Sequence, residues 1–284
     1  MSKKSNYRKE KTQEAYLKVV ENVQNIVNTG EYQKFLKFQS KINSYSFMNI
    51  VKIFSQFPDA TMVYGKNDWE KKGRTVIDNA TEIKITAPIP KAYTKKIKEI
   101  VDGEEIEKEV TVHYNNYIDV VVYDISETVG EPIPLEDKEI SGEDRFLFFE
   151  KLKAFSKWPI IEEEMTGTRK GYFSPKNKLI ALRKDLNMNE KISVLLHELS
   201  HGLYDDFNYK TDRNLSEVFV ESIAFIVADY FGLDTSACSF NYITKWAEGD
   251  PKIVIDLGSK IQKCARQFIR DIEKFEMQEL QVAA

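Results

Sequence analysis

Two of the three histidines in the 284-residue chain stand four residues apart around a glutamate, in His197-Glu198-Leu199-Ser200-His201. A helix turns about 100° per residue, so positions i and i+4 share a face. Two imidazoles placed this way can grip one zinc ion while the glutamate reaches a water on the metal. Ile192, Leu195, Leu196 and Leu199 follow at i, i+3, i+4 and i+7, which predicts a helix buried along that apolar stripe. On the helical wheel the two histidines lie roughly opposite the stripe, toward a cleft. A surface helix with two solvated histidines would explain neither the spacing nor the intervening glutamate.

A catalytic zinc takes three protein ligands and keeps one position for water. The remaining histidine, His113, lies in a predicted β region and is a poor source for the third. Residues 214–233 are a better one: apolar almost all round, yet carrying Glu217 and Glu221 one helical turn apart. A buried carboxylate is costly unless paired or bound to metal. The expected ligands are therefore His197, His201 and Glu217, with Glu221 as the acceptor for a ligand histidine N–H. The two glutamates share a face, so their roles could be exchanged. A competing reading makes Asn214 an N-cap and Glu217 its capping-box partner.

In this scheme Glu198 takes a proton from zinc-activated water and passes it to the leaving amine of a peptide bond. The segment Gly171-Tyr172-Phe173-Ser174-Pro175, followed by Leu179-Ile180-Ala181-Leu182, is expected to place a strand edge beside the site. Tyr172, Phe173 and Ile180 are its substrate-strand positions, where an extended peptide could pair. The bland alternative is a structural strand covered by a loop.

A hydrophobic fraction of 42% and a charged fraction of 30% describe a folded globular chain, and the length favours two domains. The net charge of −4 gives no global nucleic-acid signature. Lys3, Lys4, Arg8, Lys9 and Lys11, opposed only by Glu10, form a local basic arm. No early apolar segment reads as a signal peptide, and no apolar run reaches the roughly 18 residues that would suggest a membrane span. Cys238 and Cys264 show no metal spacing and are expected to be buried thiols. The expected compartment is the cytoplasm, with no membrane partner.

Three helices are predicted from residue 7 to about 57, broken at Thr29-Gly30 and restarting near Ser46 before Pro58. Short strands are predicted at 62–64, 82–87, 106–114 and 117–125, with turns at Asp102-Gly103 and Asn115-Asn116. The acidic stretch 126–144, with two prolines and two glycines, is the candidate domain boundary. Beyond it come a helix at about 145–156, a short β region at 168–182, and three or more helices.

The C-terminal half resembles gluzincin-type metallopeptidases of the ImmA/IrrE-like and ArdC-like group. The matching residues are 171–175, 193–201 and 217–224, which include Gly171-Tyr-Phe, His197-Glu-Leu-Ser-His201 and Glu217-Val-Phe-Val-Glu221. The N-terminal half resembles that of ArdC-type antirestriction proteins of conjugative plasmids and other mobile elements. That likeness lies in Tyr45-Ser-Phe-Met-Asn49, Gln56-Phe-Pro-Asp-Ala-Thr61, Trp69-Glu-Lys-Lys-Gly-Arg74, Ala87-Pro88 and Val122-Tyr-Asp-Ile-Ser126.

The resemblance implies an α+β protein in which N-terminal helices and a small β-sheet domain (1–135) precede a zincin-like metallopeptidase domain (140–284). It implies zinc ligands at His197, His201 and the Glu217/Glu221 helix, with Glu198 as general base. It also implies single-stranded DNA binding by the N-terminal half. The residues suit that role: Lys66, Lys71, Lys72 and Arg74 surround Trp69, with Tyr45 and Phe47 upstream, combining cations for phosphates with rings for bases. Two rival functions are a regulatory protease that cuts a repressor and a DNA-protecting protein whose zinc only braces the fold.

Overall fold

The computed structural model describes residues 3–101, 104–133, 142–207, 211–233 and 251–283. They fall into two compact units, one built from Met1–Thr61 and Pro132–Ala284, the other from Met62–Glu131. This grouping cuts across the division at 135–140 expected from the sequence. The three N-terminal helices pack with the C-terminal half.

Those helices are α1 (Lys3–Asn28), α2 (Tyr32–Lys41) and α3 (Phe47–Gln56). Helix α1 buries Val19, Val23, Ile26 and Val27, the positions its three- and four-residue spacing predicts. It ends at Thr29 and Gly30, whose positive φ of 74° is cheap only for glycine. Ser46 caps α3 by accepting the Asn49 N–H, and the helix stops before Pro58. The side chains of the basic arm, Lys3 to Lys11, lie outside the described residues.

The second unit runs through β1 (Val63–Tyr64), α4 (Lys66–Lys71), β2 (Arg74–Val76), β3 (Ile83–Val101), β4 (Glu104–Asp124), a 3-10 turn (Ile125–Glu127) and β5 (Thr128–Gly130). Strands β1, β4 and β3 form one antiparallel sheet in that order, and β2 pairs with β5. Val63, Trp69, Ile83, Ile85 and Val122 make the core.

Strands β3 and β4 form one unbroken ribbon from Ile83↔Val122 to Val101↔Glu104. The expected turn at Asn115-Asn116 is instead ladder, paired with Pro90 and Ile89, so the two strands expected there are one. Pro88 and Pro90 lack an N–H to donate, which is tolerable because β3 is an edge strand. Asp102-Gly103 lie outside the described residues, as do positions 134–141 of the expected boundary. The first residues of that boundary belong to the 3-10 turn and β5.

The first unit resumes with α5 (Gly142–Phe155) and a three-stranded sheet of β6 (Ile160–Glu163), β7 (Gly171–Ser174) and β8 (Leu179–Arg183). Its order is β6–β8–β7, with β6 parallel and β7 antiparallel to the central β8. Helices α6 (Met188–Tyr204), α7 (Arg213–Tyr230) and α8 (Pro251–Ala283) follow. Helix α7 is buried from Val218 to Ala228 apart from Glu221, and α8 buries Val254, Ile261, Phe268 and Ile272. Buried polar contacts join the N-terminal helices to these two. The Tyr32 and Ser222 hydroxyls lie 2.8 Å apart, and Gln39 Nε2 donates to Gln262 Oε1 at 2.6 Å. Such buried polar groups must be paired, which fixes where α2 docks.

Candidate metal centre

Asn187 and Glu190 form a reciprocal capping box at the start of α6, giving the helix a defined first turn. Ile192, Leu195, Leu196 and Leu199 are fully buried, as the stripe requires. The opposite side carries His197 and His201, with ring centroids 4.9 Å apart and planes inclined by 71°. Helix α7 brings Glu217 to them. Its Oε2 lies 3.5 Å from His197 Nε2 and 4.0 Å from His201 Nε2. One ligand atom from each of the three residues falls within 4.8 Å of the others. The α7 N-cap is Asp212, so Asn214 lies inside the helix and the capping-box reading of Glu217 does not apply.

Each histidine is held from behind by a carboxylate. Glu221 Oε2 lies 2.7 Å from His197 Nδ1, and Asp205 Oδ2 lies 2.8 Å from His201 Nδ1. A ring that offers its Nε2 lone pair to a cation carries its proton on Nδ1, so both carboxylates accept. Asp205 is itself anchored by the Ser216 hydroxyl at 2.6 Å and the Phe207 N–H at 3.1 Å. Burial opposes its ionisation, yet the hydrogen bonds from His201, Ser216 and Phe207 outweigh burial and hold its carboxyl below the ordinary value. Burial likewise opposes protonation of His197, but the carboxylates of Glu217 and Glu221 prevail and push it up to about 10. Two imidazole nitrogens and one carboxylate oxygen form a donor set that a divalent cation fits. Three protein ligands also leave room for water.

Glu198, near enough to both histidines to feel their charge, also reaches β7. Its Oε2 accepts the Phe173 N–H at 2.7 Å, and burial raises its carboxyl against the pull of both histidines. Close approach of strand and helix makes the bond possible. A Cβ on Gly171 would sit 2.4 Å from Val194 Cγ1 and 2.9 Å from the Ala181 carbonyl oxygen, so only glycine fits there. Trp158 packs on Phe173 with centroids 4.8 Å apart, and its ring covers the bare backbone of Gly202.

The remaining substrate-strand positions differ from one another. The Tyr172 hydroxyl donates to Glu163 at 3.1 Å. Ile180 is fully buried on the central strand β8, which corrects its assignment to a substrate-facing edge: it is core. Asp205 and the Phe173 N–H were not anticipated. Asp205 follows His201 by one helical turn, a spacing that could have revealed it. A backbone donor leaves no trace in sequence.

The positions expected to contact DNA also need correction. Phe47 is core, packed so closely on α8 that a Cβ on Gly258 would lie 2.2 Å from its ring. Trp69 is fully buried, donates its Nε1–H to the Tyr123 carbonyl at 2.9 Å, and meets Tyr64 edge to face. Neither ring offers a face to a base, because each is buried in the core of its own unit, where a large aromatic side chain contributes most. Tyr45 is half-buried, and its carbonyl accepts from Gln262. Arg74 donates to Thr128 and to the Gly130 carbonyl, bracing β2 on β5. Lys66, Lys71 and Lys72 remain at the surface, Lys71 bonded to Asp68 and Lys72 over the Tyr64 ring. Cys264 is a half-buried free thiol, whereas Cys238 lies outside the described residues. Among the described residues no helix is long and apolar enough to cross a membrane.

No family model matches the chain. Uncharacterized protein pXO2-81 of Bacillus anthracis is 24% identical over 309 aligned positions covering 94% of this chain. The alignment takes in 52% of that protein, so the chain spans about half the length of the curated relative it matches. Two crystal structures of the antirestriction protein ArdC from plasmid R388 are similar. The metal-free form has a TM-score of 0.56 and 14% identity over 92% of this chain and 98% of its own. The Mn(II)-bound form has a TM-score of 0.58 and 13% identity over 90% and 97%. Over nine-tenths of its length, the chain therefore has the α+β fold of ArdC.

Proposed function

We propose that the protein is an antirestriction-type protein of a mobile element that binds single-stranded DNA and carries a divalent-metal centre for peptide-bond hydrolysis. The observation that carries the reading is the convergence of His197, His201 and Glu217, with Glu198 on the same helix turn and a carboxylate behind each histidine. The ArdC fold supports the antirestriction part, and the Mn(II) in one ArdC structure supports a divalent ion. Zinc is the ion proposed here, since nitrogen-rich sets of this kind suit it.

His197, His201 and Glu217 would hold the ion. When bound, it supplies Lewis acidity, making water a nucleophile near neutral pH and polarising a carbonyl. Glu198, buried and steadied by the Phe173 N–H, accepts the water proton and returns it to the leaving amine. Its raised carboxyl pKa suits both halves of that transfer. Glu221 and Asp205 fix the rings. The edge strand β7 lies beside Glu198, where an extended peptide can run along it.

The test is transfer of a plasmid carrying the gene into a restricting host, with wild type compared to Glu198→Gln. Protection that needs both the gene and Glu198 supports the full reading. Protection by Glu198→Gln equal to wild type would favour DNA binding without hydrolysis, the rival in which metal only braces the fold.

A further inference from the structure

The β3–β4 ribbon has two unlike faces. Cross-strand partners share a face, so Lys91, Tyr93 and Lys95 stand on one side with Tyr114, Val112 and Val110. Between residues 86–99 and 106–119 this side carries three lysines against one glutamate, Glu99, which lies 3.6 Å from Lys108. The opposite side of the same stretch carries two lysines against three carboxylates. Lys91 and Lys95 are exposed and make no ion pair among the described residues. Tyr93 is 52% exposed and Tyr114 44%, the rings meeting at 5.8 Å and 66° over half-buried Val110 and Val112.

We propose that this face of the ribbon is a binding surface for single-stranded nucleic acid. The proposal rests on the DNA-binding reading above and gives it a site that the buried Trp69 and Phe47 cannot provide. Exposed tyrosines on an aliphatic floor call for a flat apolar partner, and unpaired lysines beside them call for anions. Unpaired nucleotides supply both at once: a base to stack, a phosphate to pair. A duplex keeps its bases stacked inside and would leave the rings idle. The lysines flank Tyr93 over four residues of strand, roughly 13 Å, so the face accommodates a few nucleotides. The near-neutral opposite face makes general adhesion to polyanions a poor account.

The test uses the whole 284-residue chain and a fluorescein-labelled thymidine 30-mer, titrated by anisotropy at low salt. Tyr93→Ala/Tyr114→Ala should weaken binding at least about fivefold, with Tyr93→Phe/Tyr114→Phe restoring it, because the ring and not the hydroxyl stacks. Lys91→Glu/Lys95→Glu should weaken binding far more than Lys96→Glu/Lys98→Glu, an identical charge change on the opposite face. Ultraviolet cross-linking of wild type to the oligonucleotide should map to peptides holding Tyr93 or Tyr114. Wild type that binds while the ribbon variants bind equally well would overturn the ribbon site and leave the DNA reading standing. Equal losses from the two lysine pairs, or cross-links confined to other segments, would also overturn the site. Wild type that fails to bind the oligonucleotide, or that prefers duplex, would overturn both.

Discussion

Asp205 Oδ2 stands 2.8 Å from His201 Nδ1, one helical turn beyond the histidine, and takes a second bond from Ser216 on the neighbouring helix. Helices α6 and α7 are thus tied at the site itself, and the ring that offers Nε2 to a cation is fixed from behind. Substituting Asp205 by Ala should lower metal affinity roughly 10- to 100-fold while the fold persists. Calorimetric titration of the metal-stripped protein measures this. A change within twofold would make Asp205 a bystander.

Metal binding should release protons. Burial opposes protonation of His197, but Glu217 and Glu221 push it up to about 10, so the ring is charged at neutral pH and must lose its proton to become a ligand. Affinity should therefore rise as pH increases from 7 toward 10 and level off above it, by up to about tenfold per unit for the one proton. Titrations in two buffers of different ionisation enthalpy count the proton directly. Zero release at pH 7.5 would contradict this account of His197.

Glu198→Gln should retain metal and fold, since the amide oxygen can still accept the Phe173 N–H. It should lose about 100- to 10,000-fold in hydrolysis of any peptide that wild type cleaves, because the proton acceptor is gone. Unchanged cleavage would remove Glu198 from the mechanism.

Trp69→Ala should destabilise the second unit by about 3–5 kcal/mol, through loss of a fully buried ring and of its bond to the Tyr123 carbonyl. Amide exchange across residues 62–131 should accelerate accordingly. A stable, well-protected variant that had lost only oligonucleotide binding would restore Trp69 to the DNA surface.

The parts legible in the sequence are those written locally. Four- and three-residue steps such as Val19, Val23 and Ile26 predict α1, and His197 and His201, four residues apart around Glu198, announce the site. Glu217 and Glu221 stood out because an apolar helix has no other use for two carboxylates on one face. What stayed hidden depends on partners far along the chain. The docking of α2 rests on Tyr32 with Ser222 and Gln39 with Gln262, pairs separated by 190 and 223 positions that no periodicity connects. Asn115-Asn116 reads as a turn by residue preference, yet the ladder on both sides carries the strand through it. Trp69 among lysines has the composition of a nucleic-acid site, and burial alone distinguishes it from one.

The central claim is that His197, His201 and Glu217 together hold one divalent ion. Metal content after dialysis against a limiting zinc buffer, by elemental analysis of wild type, Glu217→Gln and Glu221→Gln, tests it most directly. The account predicts one ion per wild-type chain, near-complete loss in Glu217→Gln, and a weakened but measurable site in Glu221→Gln. Full occupancy in Glu217→Gln, with loss in Glu221→Gln, would contradict it by making Glu221 the ligand.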